Sequence, residues 1–376
     1  MKYLFIFLTT FLFANPINIL NDYRNKVGLN SLKENHYLNI ASKKHAYFMY
    51  KNRIVSHYES KKYPYFFGVT PFERAIKAGY PSKMVIENIS NGEINFNDSI
   101  KDLFSAIYHR IGFLDFNINE IGYSKVDTFY VYDMGNSIIA DVCLSNNNTK
   151  NGYIGICKDK NKIISKKRYN YLISQNPKII FWPYPNMKNT PTVFYNEIPD
   201  PLPGIDVSGY PILILFNPYY YKNIKLIKFK IYNISYRVIT KKNDVNHKLK
   251  YNQFVLFPLK RLEYNKTYNI YAKFIVDGKE KVFKWKFHTE KIGNLLEVTH
   301  KNQTFYIKSN KQYSIYFKPQ NKKDLITNFR YQFPSTLKIK KIAFKDANTI
   351  YLKVSGYGKI TLYVGNKKVN LIIKDR

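Results

Sequence analysis

Val55-Ser56-His57, Ile86-Glu87-Asn88-Ile89 and Tyr108-His109-Arg110 follow one another in the first third of the chain, and what surrounds them decides the fold. Before them, Ile19, Leu20 and Tyr23, then Leu38, Ala41, His45, Phe48 and Met49, recur at steps of three and four. That spacing turns one face of each segment inward as a helix. Pro71 and Gly79 bracket a short helix whose Glu73-Arg74 reads as a capping or ion-paired element. A further helix is predicted from about Ile100 to Tyr108, capped by Asn97, Asp98 or Ser99. From Ile121 onward short alternating runs take over, Phe129-Val131-Tyr132 and then Ser137 to Val142, which read as strands.

A proline-rich passage, Trp182-Pro183-Tyr184-Pro185 and Pro199-Asp200-Pro201-Leu202-Pro203-Gly204, separates this region from the rest. Proline fixes φ and removes a donor, so residues 161–200 are expected to be a linker. Beyond it Ile212 to Phe216, Ile224 to Ile231, Ser235 to Ile239, Tyr268 to Val276 and Val282 to Thr289 are strand-like and suggest an antiparallel sandwich over 201–290. A second all-β stretch, with strands beginning near Gln303, Gln312, Thr336, Thr349, Gly358 and Lys368, fills 291–376. The chain is therefore α+β, helices first and β-sandwich domains after.

Lys2, the apolar run Leu4 to Phe13 and Ala14 have the form of a secretory signal peptide over residues 1–14. A periplasmic or secreted protein is expected, with no transmembrane helix once the signal is removed, since the longest apolar run is too short to span a bilayer. Export makes Cys143 and Cys157, the two cysteines of the chain, readable as a disulfide across a hairpin. The formal net charge is +34, from 60 Lys+Arg against 26 Asp+Glu, and such a surface draws polyanions. The lysines are spread over the whole chain without an arginine-rich or RNA-binding signature, so a specific nucleic-acid partner is not expected. Compositional bias outweighs a dedicated site, and weak attraction to envelope polyanions is expected along the whole chain.

The order Ala41-Ser42-Lys43-Lys44-His45-Ala46, Ser56-His57, Pro71-Phe72-Glu73-Arg74, Glu87-Asn88-Ile89, His109-Arg110 and Ile121-Gly122-Tyr123 resembles the CAP superfamily, the cysteine-rich secretory, antigen 5 and pathogenesis-related-1 proteins, in its short bacterial form. The opening Asn21-Asp22-Tyr23-Arg24 is similar to that family's first helix. The resemblance implies a three-layer α-β-α sandwich over residues 15–160 and a cleft lined by His57, Glu87 and His109. A fourth cleft member would come from the helix before His109, where Asp102 and Ser105 are the residues on offer. Phe257-Pro258-Leu259, Lys266-Thr267-Tyr268 and Trp285-Lys286-Phe287-His288-Thr289 resemble the last strands of bacterial immunoglobulin-like repeats.

Two imidazoles and a carboxylate in one cleft can hold Zn²⁺ or another divalent metal, run acid/base chemistry, or form a hydrogen-bonded cluster that fixes the fold. No nucleophile accompanies the histidines in a triad order. His45, in helical step with Ala41 and Met49, is set aside as a core or helix-surface histidine. The expectation is an exported CAP-domain protein that binds an envelope or extracellular ligand, lipid or glycan, rather than turning it over. The alternative is a metal-dependent hydrolase of envelope peptide or glycan.

Overall fold

The computed structural model describes residues 15–145 and 149–374, so the expected signal peptide, residues 1–14, lies outside the described residues. The chain divides into two compact units, Met1–Trp182 with Ile214–Ile224, and Pro183–Leu213 with Lys225–Arg376. The first boundary falls between Trp182 and Pro183, where the proline-rich passage begins.

The N-terminal unit opens with α1 (Pro16–Lys26), whose Asn15 cap accepts from Ile17 N at 2.9 Å and whose Ile17, Leu20 and Arg24 are buried on one face. It continues through β1 (Lys33–Glu34), α2 (His36–Asn52), α3 (Pro71–Ala78), β2 (Ile86–Asn91), α4 (Phe96–Ser105), α5 (Ile107–Phe113), β3 (Glu120–Val126), β4 (Phe129–Gly135), α6 (Ser137–Leu144), α7 (Lys166–Ser174) and β5 (Ile179–Trp182). Strands β1 to β4 form one sheet in the order β1-β3-β4-β2, antiparallel except for β1 against β3. Strand parity sorts the two faces. Ile89, Phe129 and Val131 pack under Ala46, Phe48 and Met49 of α2. Ser90 and Tyr132 turn to α4, where Ser99 Oγ reaches both hydroxyls at 2.7 and 2.9 Å. The result is the expected three-layer α-β-α sandwich, with every residue of the central strand β4 buried. Helix α2 lies so close to β3 that a Cβ on Gly122 would sit 2.0 Å from the Leu38 carbonyl carbon, and only glycine fits there.

Helix α3 carries a full capping box, with Thr70 Oγ1 accepting from Glu73 N at 3.3 Å and Glu73 returning to the Thr70 amide, and it stops at Gly79 with φ 110°. The helix expected from Ile100 to Tyr108 is instead two. α4 starts earlier, at the Asn95 cap, and ends at Ala106, where ψ of 124° breaks the helix before α5. Arg110, buried, donates its guanidinium to the Phe104 and Ser105 carbonyls that the break leaves open.

The run Ser137 to Val142, expected as a strand, is helix α6. Asn136 Oδ1 accepts from Ile139 N at 3.1 Å, a cap that overrides the β-branched composition of the run. Cys143 and Cys157 are disulfide-bonded with Cα atoms 5.3 Å apart. They do not face each other on a hairpin: the bond ties α6 to an extended segment in which Cys157 bridges Ser82. Residues 161–200, expected as a linker, carry α7 and β5. Lys166–Ser174 contains no proline and Ser165 caps it by accepting from Arg168 N. Trp182 is buried against Tyr23 and Phe104, with ring centroids at 5.5 and 5.1 Å.

The chain continues with β6 (Ile212–Phe216), β7 (Ile224–Ile231), β8 (Tyr236–Thr240), β9 (Gln253–Pro258), β10 (Thr267–Val276) and β11 (Lys279–His288), then β12 (Leu295–Val298), β13 (Asn302–Ile307), β14 (Gln312–Phe317), β15 (Arg330–Gln332), β16 (Leu337–Asp346), β17 (Thr349–Gly356), β18 (Gly358–Val364) and β19 (Lys367–Ile373). β10 and β11 form a ten-residue antiparallel hairpin turned by Asp277-Gly278, both at positive φ. The last eight strands make two four-stranded sheets, β12-β14-β17-β16 and β13-β19-β18-β15. Ile315, Leu352, Ile360 and Leu371, all fully buried, belong to the core that these two sheets share. Apart from Ile214–Ile224, which belong to the first unit, both all-β stretches lie in the C-terminal unit, consistent with immunoglobulin-like modules.

Candidate functional site

The segment between α2 and α3 has little regular structure, and Glu59 holds it in place. Buried, Glu59 accepts the Phe67 and Gly68 amides on Oε2 at 2.6 and 3.2 Å. Its Oε1 meets Nδ1 of His45 at 2.9 Å, and Nε2 of His45 meets the Ser56 carbonyl at 2.9 Å. A carboxylate oxygen on one side and a carbonyl on the other give both ring nitrogens a partner. His45 is therefore a satisfied core histidine, and it positions the backbone of Ser56 directly before His57.

Glu87 sits at the centre of the cluster. Its side chain, 1% exposed, receives His57 Nδ1 at 2.8 Å on Oε1 and Arg74 Nη2 at 2.6 Å on Oε2, with His45 Nε2 at 3.8 Å. The Arg74 guanidinium is fully buried and also reaches the carbonyls of His57 (3.1 Å), Gly68 (3.3 Å) and Val69 (3.4 Å), so it pins the same segment from the α3 side. Burial alone would raise the Glu87 carboxyl. The charge of His45, the hydrogen bond from His57 and the charge of Arg74 outweigh it and hold the group well below the usual carboxylate range.

Asp133 on β4 stands opposite Glu87 in the β2–β4 register and is fully buried. Burial pushes its carboxyl well above the ordinary value and the charge of Glu87 adds to it, against Arg74 and the hydrogen bond from Ser42. Ser42 Oγ donates to Oδ2 at 2.9 Å, while Oδ1 meets no donor.

The side chain of His57 is 41% exposed. Glu87 fixes its Nδ1 as the donor, and its Nε2 has no protein partner among the described residues. That is an oriented imidazole with one nitrogen open to a ligand. The same segment exposes Tyr58 (65%), Tyr63 (46%) and Tyr65 (53%), and Tyr65 packs edge-on to Tyr47 with centroids at 4.9 Å. Among the described residues no Ser, Thr or Cys side chain hydrogen-bonds His57.

Of the residues expected in the cleft, His57 and Glu87 are in direct contact. His109 is half-buried on α5, and its carbonyl accepts Asn88 Nδ2 at 2.9 Å. Asn88 follows Glu87 on β2 and so projects from the opposite face of the sheet. Asp102 lies on the exposed side of α4, and Ser105 Oγ donates to the Lys101 carbonyl at 3.2 Å. His45, Glu59, Arg74 and Asp133 are members of the cluster that the sequence did not assign to the site.

The cluster does not fit a divalent metal. Both oxygens of Glu87 are taken by donors, and a buried guanidinium occupies the side where a cation would sit. No group of three or more His, Cys, Asp or Glu side chains poised to hold a metal occurs among the described residues.

Residues 17–133 match the model of the cysteine-rich secretory protein family, CAP. Among solved structures, an extracellular SCP-domain protein of Bacillus anthracis str. Ames is 18% identical, with 32% of this chain and 39% of that one covered at a TM-score of 0.30. This chain thus spans about two fifths of that relative's length. An outer surface protein of Borrelia burgdorferi is 22% identical over 32% of this chain and 88% of its own, at a TM-score of 0.29. A Bacteroides ovatus protein of a mixed-linkage glucan utilization locus, solved with a mixed-linkage heptasaccharide, is 11% identical over 53% of this chain and 48% of its own, at 0.17. No curated protein sequence matches the chain. Residues 17–133 are thus a CAP domain of the cysteine-rich secretory protein family.

Proposed function

We propose that the chain is an exported binding protein whose CAP domain takes a polyhydroxylated envelope or extracellular ligand at the His57 cleft without turning it over. The observation that carries this reading is the state of Glu87. A carboxylate saturated by Arg74 and two imidazoles is a fixed counter-charge, unsuited to receive a proton during a reaction cycle. What faces outward is one oriented imidazole on a segment that also exposes Tyr58, Tyr63 and Tyr65, groups that can hydrogen-bond hydroxyls and cover the apolar faces of sugar rings. Export is supported by the disulfide and by the leader-like start of the sequence. No helix among the described residues is long and apolar enough to cross a membrane.

One observation favours hydrolysis instead. The His57–Glu87 contact is the carboxylate–imidazole pairing that orients a general base. The His57→Ala variant is expected to lose binding to purified cell-envelope glycan at least tenfold while staying folded, with its melting temperature lowered by a few degrees because the hydrogen bond to the buried Glu87 carboxylate is lost. Unchanged binding in a folded His57→Ala protein would remove the cleft from the account.

A further inference from the structure

We propose that a groove in the C-terminal unit, between the 259–269 segment and the 318–323 loop, is a dedicated binding site for an anionic polysaccharide. Its cavity measures about 1190 Å³, above the usual range for a single small ligand and suited to a segment of a longer chain. Six of its twenty-one lining residues are basic, nearly twice the proportion in the whole chain, where 60 of 376 are, and only Glu263 is acidic. Glu263 is shared between Lys266 and Lys318, with Nζ atoms 3.8 Å from its two oxygens. Lys260, Lys322 and Lys323 are exposed and have no carboxylate partner among the described residues. The excess charge is therefore concentrated here rather than only spread along the chain.

The walls are fixed before any ligand arrives. The Lys322 carbonyl accepts the Asp206 and Val207 amides at 2.8 and 3.0 Å, which anchors the 318–323 loop. Arg261 is buried and committed to Asp346, so the free cations are all lysines. Lysine is a compact point charge without the forked geometry that reads phosphates and base edges in pairs. That favours scattered carboxylate or sulfate groups over nucleic acid. Tyr232, 43% exposed with Lys230 Nζ 4.2 Å from its ring centroid, offers a face on which a sugar ring can stack. It is the one large apolar side chain of the lining that is exposed, which argues against a lipid tail.

The full mature chain is titrated calorimetrically with a heparin oligosaccharide, a polygalacturonate oligosaccharide and a single-stranded DNA of matched charge, from 50 to 300 mM salt. Saturable binding of at least one glycan at 150 mM salt is expected. The K260E/K322E/K323E variant should weaken it at least tenfold and reduce the slope of log affinity against log salt by about 2 to 3. K338E/K340E/K359E changes net charge equally on exposed strands elsewhere in the unit and should cost less than threefold. Unchanged melting of both variants confirms that the fold is intact. Equal losses in both, DNA tighter than either glycan, or no saturable binding at 150 mM would each overturn the proposal.

Discussion

Replacing Glu87 by alanine is expected to destabilise the N-terminal unit by about 3–5 kcal/mol, the range for removing one partner of a buried ion pair. The side chain neutralises Arg74 and lies 3.8 Å from His45 Nε2 in a setting where neither can reach water, and it holds His57 on the surface. Its loss strands a guanidinium whose Nε already has no hydrogen bond and whose other carboxylate, Glu59, stands 3.8 Å away. Glu87→Gln should cost less, since the amide oxygen still accepts, but its NH₂ is forced against a donor. The pH dependence has a definite sign. The folded carboxyl titrates below its unfolded value of about 4.3. Its contribution is complete above that value and fades as pH falls through the folded one. Urea unfolding of Glu87→Ala at pH 7 and pH 3 should therefore show a smaller difference from the parent at the lower pH. A loss under about 1 kcal/mol at neutral pH, the scale of a surface pair, would contradict the buried-cluster account.

Asp346→Ala should be comparably damaging in the C-terminal unit, by about 3–5 kcal/mol. Its carboxylate takes a bidentate pair from Arg261, Nη1 to Oδ1 at 2.9 Å and Nη2 to Oδ2 at 2.8 Å, the geometry of the strongest ion pairs. Tyr195 and Tyr264 donate to the same two oxygens at 3.0 and 2.7 Å. The guanidinium lies within 5.0 Å of the Tyr264 and Tyr316 ring centroids. Burial would raise the Asp346 carboxyl, but Arg261 and Lys345 outweigh it and push the group far down, so this stability too is present at neutral pH and lost in acid. Arg261 comes from the segment after β9 and Asp346 from the end of β16, so the network clamps the two all-β stretches together. Calorimetry should show a lower melting temperature and a second transition in Asp346→Ala. A single transition at the parental temperature would show that the clamp contributes nothing.

The local signals were legible where they were short in range. The apolar spacing of α2, the Pro71 and Gly79 ends of α3 and the alternating runs of β4, β10 and β17 all appear in the sequence, because periodicity and caps act within a few residues. Ser137–Leu144 misled for the same reason. Its β-branched run argues for a strand, whereas the decisive group is one cap, Asn136, just before it. The motifs placed His57 beside Glu87. They could not place Asp133, which joins the cluster through a strand register that leaves no local mark. Nor could they show that Arg74, which at the start of α3 looks like ordinary helix-end chemistry, turns inward as the counter-charge. The basic groove was invisible because its lysines come from segments some 60 residues apart and are outnumbered by lysines everywhere else.

On the proposed reading the CAP cleft binds and does not cleave. The most direct measurement incubates the purified chain with cell-envelope glycan and peptide, with and without chelator, and follows both retained protein and soluble product. Saturable retention, weakened in His57→Ala and indifferent to chelator, with no product above the no-protein control in either arm, is the predicted result. Product that accumulates with time and disappears in His57→Ala would contradict it, and chelator sensitivity of that product would point to a metal-dependent hydrolase.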